Sequence, residues 1–179
     1  MEELRNSIHK LHSNAMGYDN IHNKMLMNLN PINQIQLLHL FNVCYAESFC
    51  PPEWKQSKII PLLKAGKDKK ELSSYRPIAL TSCLGKCFER LVNARLYWHM
   101  EHFNLIPKAQ AVFRKECSTQ DHIWNLETRI KLGFNYNKST TCVFLDLAKA
   151  YDTVWIPGLL YKLCKTRVSG NLLKWIKVS

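Results

Sequence analysis

Two prolines constrain this chain more than any other feature of its sequence. In the stretch "SKIIPLLKAGKDKKELSSYRPIALTS" two short β-like runs, 58–63 and 75–80, carry one each, Pro61 and Pro77. Proline has no N–H to give to a sheet ladder, so both runs read as edge strands. They flank a polar loop with four lysines, Lys64, Lys67, Lys69 and Lys70, and together predict a long hairpin with a basic tip. One further strand-like run is "TTCVFLDL", 140–147. In it Cys142, Phe144 and Asp146 point one way, and Val143, Leu145 and Leu147 the other. A lone central strand is not a finished sheet. The expectation is an α+β chain, mostly helical, that stops before its fold is complete.

Helical periodicity fills the remainder. The run 32–48 places Leu37, Phe41, Cys44 and Tyr45 at helical spacing and stops at "CPPEW", where Pro51 and Pro52 deny further helix. "LGKCFERLVNARLYWHMEHF" is the clearest helix. Leu84, Phe88, Leu91, Leu96, Met100 and Phe103 form its apolar stripe, while Lys86, Arg90, Asn93 and Tyr97 share another face. A third helix starts near Ser118, where Asp121 completes a capping-box pattern, and is expected to turn Ile123, Leu126, Ile130 and Phe134 inward. Pro157 suits the first turn of a fourth, Ser169 and Gly170 break it, and "NLLKWIKVS" reads as a fifth.

Charge narrows the partner. Lys plus Arg number 25 against 14 Asp plus Glu, a formal net charge of +11. Such an excess suits a polyanion, and nucleic acid fits better than a membrane because no amphipathic anchor stands out; solubility alone is the plainer reading. No run approaches the roughly 18 apolar residues of a membrane span, and the start lacks a signal-peptide core, so the chain reads as soluble and intracellular, not secreted. Seven scattered cysteines then read as reduced, packed thiols.

Two patterns compete as sites. Cys83, Cys87, His99 and His102 superficially resemble a zinc finger, but three of the four fall on the clearest helix and the usual cysteine turn is absent. Asp146 is the stronger candidate. A carboxylate at the end of an apolar strand must find a cation, a donor or water. The plain alternative is a helix N-cap. Spacing alone leaves both open.

The longer motifs break the tie. "SSYRPIALTSCLGKCFERLVNARL", then "QAVFRKECSTQDHI", then "VFLDLAKAYDTVWIPGLLYKL" resemble the reverse transcriptase domain of non-LTR, LINE-type retrotransposons, with the jockey-like elements of arthropods the nearest likeness. The resemblance extends upstream through "PPEWKQSKIIPLLKAGKD" and "MGYDNIHNKML", covering the chain from about Met16. It implies a partial right-hand polymerase. Residues 1–30 would be a polar lead-in, 31–135 a fingers-like region with the basic hairpin, and 136–179 the start of an incomplete palm.

For chemistry, the resemblance implies nucleotide addition with two Mg2+ ions, an RNA template, a DNA primer and deoxynucleoside triphosphates. Asp146 matches the first metal-binding aspartate, and the Leu147 carbonyl would be an adjacent ligand. Tyr151 matches the aromatic under the deoxyribose that excludes a 2′ hydroxyl, with a core tyrosine as its plain alternative. Asp152 falls to the triphosphate side or a helix start. Arg76 and Lys86 match basic positions facing the triphosphate or template, against the plain reading of solvated cations. Lysines 64, 67, 69 and 70 would track template phosphate, and Arg114 lies in a match to the family's Gln-x-Gly-Phe-Arg.

Departures from the family pattern accompany the matches. Val112 stands where that motif has glycine. Met16 and Asn20 stand where the usual Pro-Gly-x-Asp-Gly has proline and glycine. The family's aromatic-x-Asp-Asp motif is expected downstream of Asp146, and the sequence contains no Asp-Asp pair. By this reading the chain is a reverse transcriptase by lineage, inactive alone; the alternative is a non-catalytic basic RNA-binding module derived from a retroelement. The oligomeric state is not legible in the sequence.

Overall fold

The computed structural model describes residues 1–11 and 16–179; the part of the expected lead-in at 12–15 lies outside the described residues. It is a mixture of helices and one small sheet, as the patterning predicts. In chain order come α1 (Glu2–His9), α2 (Asn23–Met27), α3 (Pro31–Ala46), α4 (Pro52–Lys55), β1 (Ser57–Leu63), β2 (Tyr75–Thr81), α5 (Cys83–His102), α6 (Thr119–Asn135), α7 (Ile156–Lys165) and α8 (Gly170–Val178). They form two compact units, one of Met1–His99 with Leu160–Ser179, the other of Met100–Leu159.

The first unit holds the hydrophobic core. Phe41 on α3 stacks on Phe88 of α5 at 4.9 Å between ring centroids, Trp54 meets both edge-on, and Trp175 of α8 meets Phe88 edge-on at 5.0 Å. Leu4, Ile8, Leu11 and Leu26 are also buried, so the lead-in supplies core as well as polar surface. Its α1 is tied down by polar contacts too. Arg95 pairs with Glu3 at 2.9 Å, and Arg90 donates to the carbonyl of Lys10, which ends the helix. Arg90, read as part of a separate polar face, is therefore a cap for α1.

α3 ends at Ala46, before the prolines are reached: Ser48 turns left-handed at φ +52° and the Phe49 amide donates to the Cys44 carbonyl at 2.8 Å. Pro52 then starts the single turn of α4, where a missing N–H costs nothing, and Trp54 is buried from it. On α5 the buried positions are Cys83, Gly85, Cys87, Phe88, Leu91 and Val92. Phe88 and Leu91 of the expected stripe are in that set, and Leu84 is half-buried against the core beside it. Phe103 lies past the helix end and is exposed.

The hairpin forms as expected, with Pro61 directly opposite Pro77. One register step beyond the strands, the Lys64 amide donates to the Ser74 carbonyl at 2.8 Å. Hydrogen-bonded and non-bonded pairs alternate in an antiparallel ladder, so the proline pair, an odd number of steps away, is a non-bonded one. Both proline nitrogens therefore face the outer edges of the hairpin. Each edge lacks a donor at its middle, which opposes addition of a third strand. Gly66, at φ +72°, makes the turn at the tip.

The second unit departs further from expectation. α6 starts at Ser118 with the full capping box, Asp121 accepting from the Ser118 amide at 2.6 Å. None of its side chains is buried, however, and Ile123 and Phe134 are exposed rather than inward. The run 140–147 forms no strand. Among the described residues the one sheet is β1–β2, so this run has no ladder partner, and an isolated strand leaves its backbone to water.

Candidate functional site

The residues expected to carry function fall in both units. Arg76, Lys86 and the tip lysines belong to the first; Arg114, Asp146, Leu147, Tyr151 and Asp152 belong to the second. Arg76 sits opposite Leu62 in the hairpin register and is exposed. Lys86 lies in the first turn of α5, half-buried, its amide bonded to the Ser82 carbonyl at 3.0 Å.

The four lysines of the tip are all exposed or half-exposed, but the loop is not a bare row of charge. The Lys64 ammonium donates to the Ser73 carbonyl at 2.7 Å, and the Tyr75 hydroxyl donates to the Lys69 carbonyl at 3.0 Å. Asp68 accepts from the Lys70 amide at 3.0 Å. These bonds give the loop a defined shape. They leave Lys67, Lys69 and Lys70 as exposed cations on it.

Arg114 is engaged within the chain. Its guanidinium forks onto both oxygens of Glu101, at 2.9 and 2.6 Å, and donates to the Pro107 carbonyl. The pair closes the loop between α5 and α6 with partly buried, charge-assisted bonds. Glu101 was not legible as its partner from sequence, since the pairing crosses an irregular loop. Val112, in the glycine position of the motif, is exposed and does not carry the left-handed backbone; the next residue, Phe113, does, at φ +62°.

Residues 146–153 are open to solvent. Leu147 is 78% and Tyr151 81% exposed, so Tyr151 is not a core tyrosine. The segment turns at Lys149, at φ +52°, whose carbonyl accepts from the amides of Asp152 and Thr153 at 2.9 and 3.1 Å. No helix starts there, so Asp146 is not an N-cap and Asp152 does not open one; α7 begins at Ile156. Among the described residues no group of three or more His, Cys, Asp or Glu converges. One exposed carboxylate and a carbonyl do not fit a two-ion site by themselves, because Mg2+ seeks a near-octahedral oxygen shell.

Cys83 and Cys87 are fully buried core residues, and burial pushes the Cys87 thiol up to about 12. The His99 ring bonds to the Thr166 carbonyl at 2.8 Å. The geometry thus assigns three members of the zinc-finger-like pattern to packing. In the described residues no helix is long and apolar enough to cross a membrane.

Known proteins align with this arrangement over most of its length. The family model described as reverse transcriptase (RNA-dependent DNA polymerase) matches residues 67–178, which takes in the hairpin tip, α5, α6 and the Asp146 segment. The chain is 35% identical over 92% of its length to the probable RNA-directed DNA polymerase from transposon BS of Drosophila melanogaster. It is 35% identical over 90% to the RNA-directed DNA polymerase from mobile element jockey of the same species, and 32% over 99% to that of Drosophila funebris. The chain spans 18 to 19% of the length of these relatives. The jockey-like resemblance read in the motifs is therefore a relationship across nearly the whole sequence: the chain belongs to the reverse transcriptase (RNA-dependent DNA polymerase) family.

Proposed function

We propose that the chain is part of an RNA-directed DNA polymerase of a jockey-like retrotransposon, and that its basic hairpin and α5 meet a nucleic-acid template. The observation that carries this is the coincidence of the family match with the charge. Residues 67–178 match the polymerase family, and that span includes three of the four tip lysines together with Arg76 and Lys86. In this reading residues 31–135 are fingers-like, 136–179 begin a palm, and 1–30 are a lead-in that also closes the core.

Each residue has a part its chemistry allows. Lys67, Lys69 and Lys70 supply point charges along a phosphate backbone, with no means of reading sequence. Arg76 offers a planar fork and Lys86 a compact ammonium for phosphate oxygens. Tyr151, being exposed and aromatic, can offer a ring face to a sugar. Arg114, its fork held by Glu101, supports the loop that carries it. Asp146 with the Leu147 carbonyl would contribute to a divalent-metal site that the described residues do not complete. Magnesium, where such a site is complete, supplies charge to the phosphates being exchanged. RNA template, DNA primer and deoxynucleoside triphosphates are the partners this reading requires.

The test has two parts. RNA binding by the chain should weaken steeply with added salt, and a flat response removes the phosphate-contact basis. RNA-templated nucleotide incorporation by the full-length element protein should be lost with Asp146→Ala; incorporation that survives refutes the metal-ligand assignment.

A further inference from the structure

The hairpin is exposed along most of both strands, so whatever fixes its direction must act at its root. Three consecutive residues meet that root from both strands. An atom in the place of a Gly17 Cβ would lie 2.7 Å from the Ser82 nitrogen and 2.8 Å from the Thr81 carbonyl carbon, where β2 ends. No side chain fits there, and backbone lies directly on backbone. The Ser82 hydroxyl, 1% exposed as a residue, donates to the Asp19 carboxylate at 2.5 Å. The same hydroxyl oxygen accepts from the Gly85 amide at 3.1 Å, capping α5. On the other strand the Lys58 ammonium lies 5.3 Å from the centre of the Tyr18 ring. The segment itself is a tight turn. The Asn20 amide donates to the Gly17 carbonyl at 3.4 Å, Asp19 accepts from the Ile21 amide at 3.2 Å, and Asn20 sits at φ +54°. That is a conformation asparagine tolerates better than most residues, so the exchange of glycine for asparagine leaves the turn intact.

We propose that Gly17, Tyr18 and Asp19 form a positioning clamp that fixes the direction in which the basic hairpin leaves the helical core. Through Ser82 the clamp ties that direction to the first turn of α5, and so holds the tip lysines and Arg76 in a set relation to Lys86. A two-stranded ribbon without such a root is free to swing, because its own ladder fixes its shape but not its heading. What the charge meets rests on the function proposed above; the clamp itself does not.

Spin-label side chains, introduced as unnatural amino acids at Lys69 and Gln36, read the heading as a distance distribution. The native protein is expected to give one narrow distance. Tyr18→Ala with Asp19→Asn should broaden it at least about twofold, whereas Tyr18→Phe with Ser82→Thr, which keep ring and hydroxyl, should not. A double variant as narrow as the native protein overturns the proposal. If that variant loses its cooperative melt, Lys58→Met, which touches the solvent end alone, carries the same expectation. Binding of a short oligouridylate by unlabelled protein separates the two ideas. Asp19→Asn removes a negative charge, which by charge alone tightens binding; lost positioning instead weakens it, by about threefold, with the salt slope unchanged. A tightened affinity overturns the link from clamp to binding. Failure of the native protein to bind refutes the proposed function, and the distances still decide the clamp.

Discussion

Replacing Phe88 by alanine tests whether the four-ring cluster is the centre of this fold. Phe88 is 3% exposed and touches three aromatic rings, Phe41 stacked at 4.9 Å, Trp175 edge-on at 5.0 Å and Trp54 at 5.8 Å. Truncating a buried phenylalanine costs about 3–5 kcal/mol, from lost transfer energy and the cavity left behind. The partners sit on α3, α4 and α8, four elements with α5 itself, so no single local shift closes the hole and the upper half of that range applies. A domain of this size has roughly 5–15 kcal/mol in total. Urea titration followed by tryptophan emission suits the question, because Trp54 and Trp175 lie inside the cluster while Trp98, Trp124 and Trp155 are exposed. With a slope of about 2 kcal/mol per molar urea, the midpoint should fall by about 2 M. Phe134→Ala, at 68% exposure, is the control and should change stability by less than about 0.5 kcal/mol. A Phe88→Ala loss below about 1 kcal/mol, or one matched by Phe134→Ala, refutes the argument.

The thiols should divide by burial: Cys117, Cys142 and Cys164 are exposed and should alkylate in the folded protein, while Cys44, Cys83 and Cys87 should wait for unfolding, as read by mass spectrometry. Burial raises the Cys87 thiol from its ordinary 9.0 to about 12, so above pH 9 the unfolded chain releases a proton that the fold retains. Stability is then full below pH 9 and falls with rising pH through 12, and Cys87→Ala should remove that part of the slope in urea titrations across this window. Ser118→Ala removes the hydroxyl half of the α6 capping box, and amide exchange at residues 119–121 should speed up by about fivefold. Asp121, whose carboxyl the Ser118 amide and hydroxyl hold below the usual range, gives the same cap a pH dependence. Its contribution is full above the ordinary carboxyl value and is lost as pH falls through the lowered one. Asp146→Ala, in an exposed segment, should leave the urea midpoint within about 0.3 M of the native value, whatever it does to incorporation by the full-length protein.

Local rules made much of this chain legible. Ser118 and Asp121 announced α6, Pro157 fell in the first turn of α7, and Pro61 and Pro77 announced a hairpin of edge strands, because caps and missing donors act within a few residues of themselves. Ser169, read as the break after α7, is instead the N-cap of α8, α7 having ended at Lys165. Apolar spacing found Leu37, Phe41 and Phe88. The motifs found the family. Other features needed the packed chain. That Cys83 and Cys87 rather than Leu84 lead the buried face of α5 depends on which neighbours arrive there, as does the burial of Leu4 and Ile8 in a segment that reads as polar. Arg114 could be matched to a motif, but only the fold brought Glu101 to its fork. Asp19 and Ser82 are 63 residues apart, and no local pattern joins them. The clearest contrast is the run 140–147. Its apolar run favours a strand locally, yet a strand exists only where a second one supplies its hydrogen bonds, and among the described residues none does. Sequence sets what a segment prefers; whether that preference is met is decided by what packs beside it.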